Sequence, residues 1–347
     1  MKMKNKIYVI CPYGLVTGGP DALHQMVYYL NSNGYNAYIV YCDIKSYKYS
    51  IPESYKCYVS KYLILNDIDD EQGNAIIIPE TETHLLKNYS NLKKYIWWLS
   101  VDNDINSSGF VNKCKKIIKK VRFKNFKKLY KVLTLKNFLQ HKKYDFKSDK
   151  DIIHLCASYY AYDYVLNNCN YKDNVKLCIE PISKYFLDNV NFSTKNKKDL
   201  ILFNPKKNYK FTKKIMKYEK KYTFLPLNGF SQEQLVKLYS SSKLYIDFGN
   251  FPGAERIPKE AVINGCCIMT GKFGASAFFN DVPINDEYKF DGTVENIPKI
   301  IKKIDQIMEC YNKKILDFEK YRKTVLELEK NFIVQINNIF ENYKNKS

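Results

Sequence analysis

The sequence has no apolar run long enough to cross a bilayer. A membrane-spanning helix needs about 20 consecutive apolar residues, and no segment of the chain approaches that length. The basic start is followed only by the short apolar run 7–11, whereas a secretory signal has an apolar core of roughly 7–15 residues and a small-residue cleavage site. We therefore expect a cytoplasmic protein.

Zinc-binding and dinucleotide-binding motifs are also missing. The ten cysteines include no C-x-x-C pair and no Cys/His cluster at zinc spacing, so we expect them to be reduced and mostly buried. The glycine-rich fingerprint G-x-G-x-x-G of dinucleotide-binding folds does not occur. These absences argue against structural zinc and a dinucleotide cofactor, and we expect no metal and no cofactor.

Acidic residues are few relative to basic ones. The 56 Lys and Arg residues exceed the 36 Asp and Glu residues, which gives a formal net charge of +20. Such an excess favours an acidic partner: nucleic acid, an anionic membrane surface or a phosphate-rich substrate. A composition rich in Lys throughout the chain explains part of the charge without any partner.

The densest basic cluster lies in residues 104–150, which hold fifteen Lys and Arg residues against three Asp. Apolar residues are interleaved with the basic ones at roughly helical spacing. Two interpretations stay open: an amphipathic insertion in peripheral contact with an anionic membrane surface, or a solvated helix with a partly disordered loop.

Strand and helix patterns alternate along the chain. Residues 7–10 are typical of a buried strand, and a helix follows in which Leu23, Met26 and Leu30 share one face. The next strand is predicted at 37–41. Because parallel strands are joined by crossover helices, this βαβ pattern predicts a parallel sheet.

A chain of 347 residues exceeds the usual size of one hydrophobic core, so two domains are expected. The βαβ pattern restarts after the polar stretch 189–198. We therefore predict an α/β protein with two Rossmann-like domains: residues 1–188, which include the basic insertion, and residues 199–347, which end in long helices.

Candidate binding and catalytic residues of the first domain follow predicted strands. Gly18 and Gly19 precede the first helix, where a glycine backbone and a helix N-terminus suit a phosphate, although a plain tight turn explains them equally well. Asp102, Glu80 and His24 are candidates for a general base, each with a structural alternative such as a helix cap or a satisfied core histidine.

The second domain contains the more informative segment. Lys206 and Lys207 follow its first strand, where two cations can neutralise phosphate oxygens. Asp247 ends a later strand, and a Gly/Pro loop leads from it into a helix with Arg256 and Glu260. Arginine can clamp a pyrophosphate, and a carboxylate can accept hydrogen bonds from ribose hydroxyls.

The segment 245–271 resembles the donor-binding region of GT-B glycosyltransferases, in particular the retaining group of the family 4 and family 1 type. That group has a carboxylate, seven residues, then Glu-Ala and a glycine turn, and the run from Glu260 to Gly265 matches the second half. Pro252 stands where the first carboxylate belongs, and Glu255 is out of register. The chain therefore resembles a divergent surface-glycan subgroup, and retention or inversion stays open.

The resemblance implies two Rossmann-like domains that face each other across a cleft and a metal-independent transfer of a hexosyl type. It implies that Glu260 binds the nucleotide ribose, that Lys206, Lys207 and Arg256 face the diphosphate, and that the paired glycines approach it from the first domain. The expected donor is a nucleotide-diphosphate sugar, with UDP favoured over GDP, and the acceptor is a glycan or a lipid-linked or protein-linked group.

Three alternatives are weighed against this interpretation. Asp67-x-Asp69 matches the short D-x-D metal motif of the other glycosyltransferase architecture, GT-A. The net charge and the many aromatic residues are also consistent with a nucleic-acid-binding protein, although a specific nucleic-acid partner is not expected. A catalytically inactive scaffold with the same fold is the third.

Overall fold

The computed structural model describes residues 5–103 and 146–344, so most of the basic insertion lies outside the described residues. The chain divides into two compact units, Glu180–Phe332 and the remainder, Met1–Ile179 with Ile333–Ser347. Each unit contains a parallel sheet with helices. This confirms the predicted α/β class with two Rossmann-like parts.

The division falls earlier than the predicted stretch 189–198. That stretch is fastened to the second unit, because the backbone N–H of Asn191 and the Nζ of Lys197 both donate to Asn264, at 2.8 and 2.9 Å. The chain end returns to the first unit, where Asn337 accepts a hydrogen bond of 3.0 Å from the Tyr35 hydroxyl.

In its described part, the first unit contains a seven-stranded sheet in the order β3-β2-β1-β4-β5-β6-β7, with every pair parallel. Its strands are β1 (Ile7–Cys11), β2 (Ala37–Tyr41), β3 (Leu63–Ile64), β4 (Ala75–Pro79), β5 (Lys93–Trp98), β6 (Ile153–Cys156) and β7 (Val175–Leu177). The central strands β1 and β4 are buried at every position, as expected for strands covered on both faces.

Within the described part of the first unit, two helices connect strands of this sheet. They are α1 (Gly18–Ser32) and α2 (Tyr159–Asn168). The first helix begins after Thr17 and ends at Ser32. Two residues later, Gly34 has a φ of +87°, a conformation that glycine adopts without strain. The sequence predicts this stop and the strand that follows it.

The second unit contains a five-stranded parallel sheet in the order β12-β11-β10-β8-β9. Its strands are β8 (Lys198–Phe203), β9 (Thr223–Pro226), β10 (Ser242–Asp247), β11 (Cys267–Gly271) and β12 (Lys289–Phe290). The described helices that follow α2 are α3 (Lys184–Asp188), α4 (Tyr209–Tyr218), α5 (Gln232–Ser241), α6 (Arg256–Ile263), α7 (Ile297–Glu309), α8 (Tyr311–Lys314), α9 (Glu319–Leu326) and α10 (Leu328–Phe340).

Between residues 297 and 344, the C-terminal region contains four helices, of which the longest have only 13 residues, where long helices are predicted. The helix α7 buries Ile300, Ile304 and Ile307, which recur at helical spacing on one face. It ends at Glu309, and a tighter turn at Ile315–Phe318 separates the next two helices. Among the described residues, none of the helices combines the length and the apolar character that a membrane crossing requires.

Removing the cap of α2 should weaken the first unit. The buried Ser158 hydroxyl accepts a hydrogen bond of 3.0 Å from the backbone N–H of Ala161. We expect Ser158→Ala to lower the free energy of unfolding by about 1 kcal/mol in urea titrations. Ser240→Ala is the control, because that hydroxyl bonds only to the carbonyl of Lys237 in its own helix. Equal effects of the two changes would contradict the capping role.

Candidate functional site

The loops that follow β8, β10 and β11 meet at the carboxyl edge of the five-stranded sheet. The side-chain amide of Asn208 donates a hydrogen bond of 3.0 Å to the carbonyl of Phe248, which joins the first loop to the second. The backbone N–H of Phe251 donates to the carbonyl of Phe273 at 3.2 Å, which joins the second loop to the third. This edge is where open α/β sheets bind ligands.

Two glycines permit this close packing. A Cβ at Gly249 would lie 2.5 Å from the Cβ of Lys207, which is well inside contact distance. Gly274 has a φ of +62°, and a Cβ there would overlap the carbonyl oxygen of Phe251. Side chains at these positions would push the loops apart.

Lys207 is held at this edge by three contacts. Its Nζ forms an ion pair with the Oε1 of Glu255 and donates a hydrogen bond of 3.1 Å to the carbonyl of Asn250. It also lies 4.9 Å from the ring centroid of Phe251, within the range of a cation–π contact. The neighbouring Lys206 differs, because its side chain is exposed.

Asp247 is the last residue of β10 and lies near Lys207 and Gly249. It is only 3% exposed and accepts hydrogen bonds from the Tyr245 hydroxyl at 3.0 Å and from the backbone N–H of Gly249 at 2.9 Å. Burial raises the pKa of the Asp247 carboxyl to about 6, and the nearby Lys207 ammonium opposes that shift. The carboxyl therefore anchors the loop that carries Gly249.

The helix α6 begins with Arg256 at this edge and carries Glu260 one turn further on. Glu260 is 6% exposed, and its Oε2 accepts a hydrogen bond of 3.1 Å from the Tyr239 hydroxyl. Lys259 lies between them and is also buried. Burial lowers the pKa of its ammonium, while the Glu180 carboxylate raises it.

The structure therefore brings together four of the five charged residues predicted for the second domain, and it adds two that the prediction does not include. Lys207, Asp247, Arg256 and Glu260 lie at the ends of β10 and in the adjoining loops and helix. Glu255 and Lys259 are the additions. Glu255 directly precedes Arg256 in the sequence and Lys259 directly precedes Glu260, and this proximity to predicted site residues is the signal that could have identified them.

Gly18 and Gly19 lie at the start of α1, directly after the loop that follows β1. Neither has a positive φ, and a Cβ at Gly19 would meet only Leu99, at 3.8 Å. Backbone conformation and packing therefore do not require glycine at Gly19. A role in close approach of a phosphate stays a prediction.

The candidate bases of the first unit differ in accessibility. Glu80 is 4% exposed and accepts a hydrogen bond of 3.0 Å from the backbone N–H of Leu99. Asp102 is half-buried, and the Tyr160 hydroxyl lies 3.5 Å from its Oδ1. Their catalytic roles stay predictions.

His24 is fully buried, and both ring nitrogens have partners. Its Nδ1 lies 2.6 Å from the carbonyl of Pro20, and its Nε2 lies 2.9 Å from the Tyr41 hydroxyl. The ring stacks on Tyr55 with the centroids 4.1 Å apart. Burial lowers the pKa of the imidazole to about 4. These contacts are typical of a structural histidine.

The D-x-D segment uses its carboxylates in contacts within the protein. Asp67 accepts a hydrogen bond of 2.7 Å from the backbone N–H of Ile64, and Asp69 forms an ion pair with Lys6. Within residues 5–103 and 146–344, no group of three or more His, Cys, Asp or Glu side chains is arranged to hold a metal ion.

The two parallel α/β units have the fold of the GT-B glycosyltransferases. Anabaena Alr3699/HepE, in a complex with UDP-glucose, is 9% identical, with 97% of this chain and 98% of that chain covered and a TM-score of 0.59. WaaG, a glycosyltransferase involved in lipopolysaccharide biosynthesis, is 10% identical over 95% of this chain and 99% of its own, with a TM-score of 0.56.

TarM is similar as well, at 15% identity and a TM-score of 0.53, over 81% of this chain but only 57% of its own length. At these identities the similarity establishes the fold alone. No protein-family model matches the sequence, and neither does any curated protein.

Replacing Asp247 by Asn should change the pH dependence of stability. The native pKa of Asp247, about 6, lies above its ordinary value of 3.8. Between these pH values the native protein binds more protons at this group than the unfolded chain, so the group's contribution to stability falls as the pH rises. Asparagine keeps the acceptor for Gly249 and carries no charge.

We therefore compare the free energy of unfolding of Asp247→Asn with that of the wild-type protein. The difference should increase in favour of the variant by about 1–3 kcal/mol as the pH rises from 4 to 7. Urea unfolding at several pH values measures this difference. Asp188→Asn, a change at an exposed carboxylate in the same unit, is the control. A constant difference between the Asp247→Asn variant and the wild-type protein across this range would contradict the assignment.

Proposed function

We propose that the protein is a glycosyltransferase that moves a sugar from a nucleotide-diphosphate sugar to an acceptor. The observation that carries this proposal is the assembly of Lys207, Arg256 and Glu260 at one sheet edge of a GT-B fold. The complex of HepE with UDP-glucose supports a UDP-sugar donor, with a GDP-sugar as the alternative. The acceptor is a glycan or a lipid-linked or protein-linked group.

The proposed mechanism is electrostatic stabilisation of the leaving diphosphate. When the bond between the sugar carbon and the phosphate oxygen breaks, its electron pair stays on the leaving diphosphate. Preorganised cations at that position lower the barrier, because they stabilise the charge as it develops. Lys207 provides a point charge and Arg256 a planar pair of donors, and Lys206 is exposed on the loop beside them.

Glu260 is the proposed ligand of the nucleotide ribose. The Tyr239 hydroxyl holds its carboxylate in one orientation, and the side chain lies one turn from Arg256. A carboxylate fixed in this way can accept hydrogen bonds from ribose hydroxyls while the arginine binds the diphosphate. The glycine turn at Gly265, with a φ of +87°, ends this region as the resemblance implies.

Neutralisation of the diphosphate by side chains supports a metal-independent transfer. If the reaction inverts the sugar, Asp102 is the preferred base among the three candidates, because Glu80 and His24 are buried.

A cytoplasmic location and contact with an anionic membrane surface also stay proposals, and the net charge of +20 supports the latter.

A thermal-shift panel of UDP-, GDP-, ADP- and CMP-sugars tests the proposal. We expect one class to stabilise the protein, by about 2.7 kcal/mol at a ligand concentration of 100 times Kd. Arg256→Ala and Glu260→Ala should abolish this stabilisation. Lys217→Ala is the control, because it removes an exposed cation from the last turn of α4.

Retained stabilisation in both alanine variants would contradict the site assignment. A donor-binding protein that neither hydrolyses nor transfers the sugar would instead be the inactive scaffold.

The net charge also favours nucleic-acid binding. Nanomolar binding to random oligonucleotides that falls steeply with salt, without any nucleotide-sugar binding, would support that alternative.

A further inference from the structure

The ammonium group proposed to bind the donor already has an anionic partner. Lys207 and Glu255 form an ion pair in which the side chains are only 19% and 20% exposed. The Lys237–Glu233 pair on α5 is very different, with exposures of 70% and 67%. Because water screens the first pair less, its attraction is stronger than that of an ordinary surface pair.

Glu255 reaches Lys207 from the start of a helix. It is the residue before α6, yet its side chain makes no hydrogen bond to the helix backbone. The carboxylate instead turns to Lys207, in the loop that follows β8. The Glu255 carboxylate therefore lies where the N-terminus of α6, Lys207 and Arg256 together produce a positive potential. A carboxylate of the protein thus occupies a position that is suited to a phosphate.

Glu255 adds a negative charge beside another carboxylate. The charges of Lys207 and Glu255 act in opposite directions on Asp247, the first favouring and the second opposing its ionised form. A diphosphate that binds Lys207 must therefore displace Glu255 or accept its repulsion. Either effect weakens anion binding at this edge.

We propose that Glu255 is a specificity-determining residue that holds Lys207 in the ligand-free protein and favours the sugar-bearing diphosphate over the free nucleoside diphosphate. This rests on the proposed function. A sugar donor carries one negative charge on each of its two phosphates. Cleavage leaves an additional ionisable oxygen with a pKa of about 6, so the free diphosphate carries nearly one further negative charge at pH 7.5.

Repulsion by a fixed carboxylate grows with the charge of the ligand. Glu255 therefore weakens binding of the product, a nucleoside diphosphate, more than binding of the donor. In this way one carboxylate provides Lys207 with a partner between turnovers and promotes release of the product.

Glu255→Gln tests the proposal, because it keeps the shape of the side chain and removes its charge. Calorimetric titration with UDP and with UDP-glucose should show that the Kd of UDP falls by about three- to tenfold and that of UDP-glucose by less. Raising the salt concentration from about 0.05 to about 0.5 M should reduce the difference. If the sugar panel selects GDP-sugars, the corresponding GDP ligands replace these probes.

Two matched controls separate this effect from net charge and from folding. Glu233→Gln removes a negative charge from the exposed pair on α5 and should leave both dissociation constants unchanged. In a Lys207→Met background, Glu255→Gln should tighten UDP binding less than in the wild-type protein, because the two residues act together. Glu255→Asp, which retracts the carboxylate by one methylene, replaces the glutamine variant if that variant does not fold.

Each outcome has a definite meaning. Weaker or unchanged UDP binding in Glu255→Gln would overturn the inference, and so would equal tightening of UDP and UDP-glucose. Those results leave the proposed function intact as long as the wild-type protein binds a nucleotide sugar. Failure of the wild-type protein to bind any nucleotide sugar would overturn the proposed function, and the inference with it.

Discussion

The parallel pairing of β8, β10 and β11 is the constraint on which the candidate site depends. Parallel strands that share a register end on the same side of a sheet, so the loops that follow them must meet there. In the second unit the pairs Ile246–Phe203 and Asp247–Thr270 fix these ends relative to one another. Chain segments that are distant along the sequence, such as those of Asn208 and Phe248, 40 residues apart, thus contribute to one surface.

Close approach of the loops then determines the electrostatics of that surface. Gly249 lets the backbone of one loop lie against Lys207, and the buried Asp247 anchors this same loop through its backbone N–H. Charges that are partly withdrawn from water interact more strongly than charges on an open surface. The site therefore combines a fixed ammonium, a buried carboxyl and a helix N-terminus at one edge of the five-stranded sheet.

Much of this framework is predictable from local patterns. The strand 37–41 has the predicted bounds, and the strand predicted at 7–10 is β1, which is one residue longer. The strands β3 and β12 are not predicted, because two residues are too few to show an alternating pattern. The ion pair between Lys207 and Glu255 is also beyond sequence reasoning, since it depends on how two loops fold against each other.

A site for a doubly charged ligand faces conflicting requirements in its two states. Binding needs positive potential, but in the ligand-free protein a largely buried ammonium without an anionic partner is costly. Lys207 avoids that cost through Glu255, and Glu255 in turn has no hydrogen bond to its own helix that would be lost if it moved. An exchangeable partner of this kind stabilises the ligand-free fold and also limits how tightly the site can retain an anion. Under the proposed function, the identity of residue 255 affects folding and product release through the same contact.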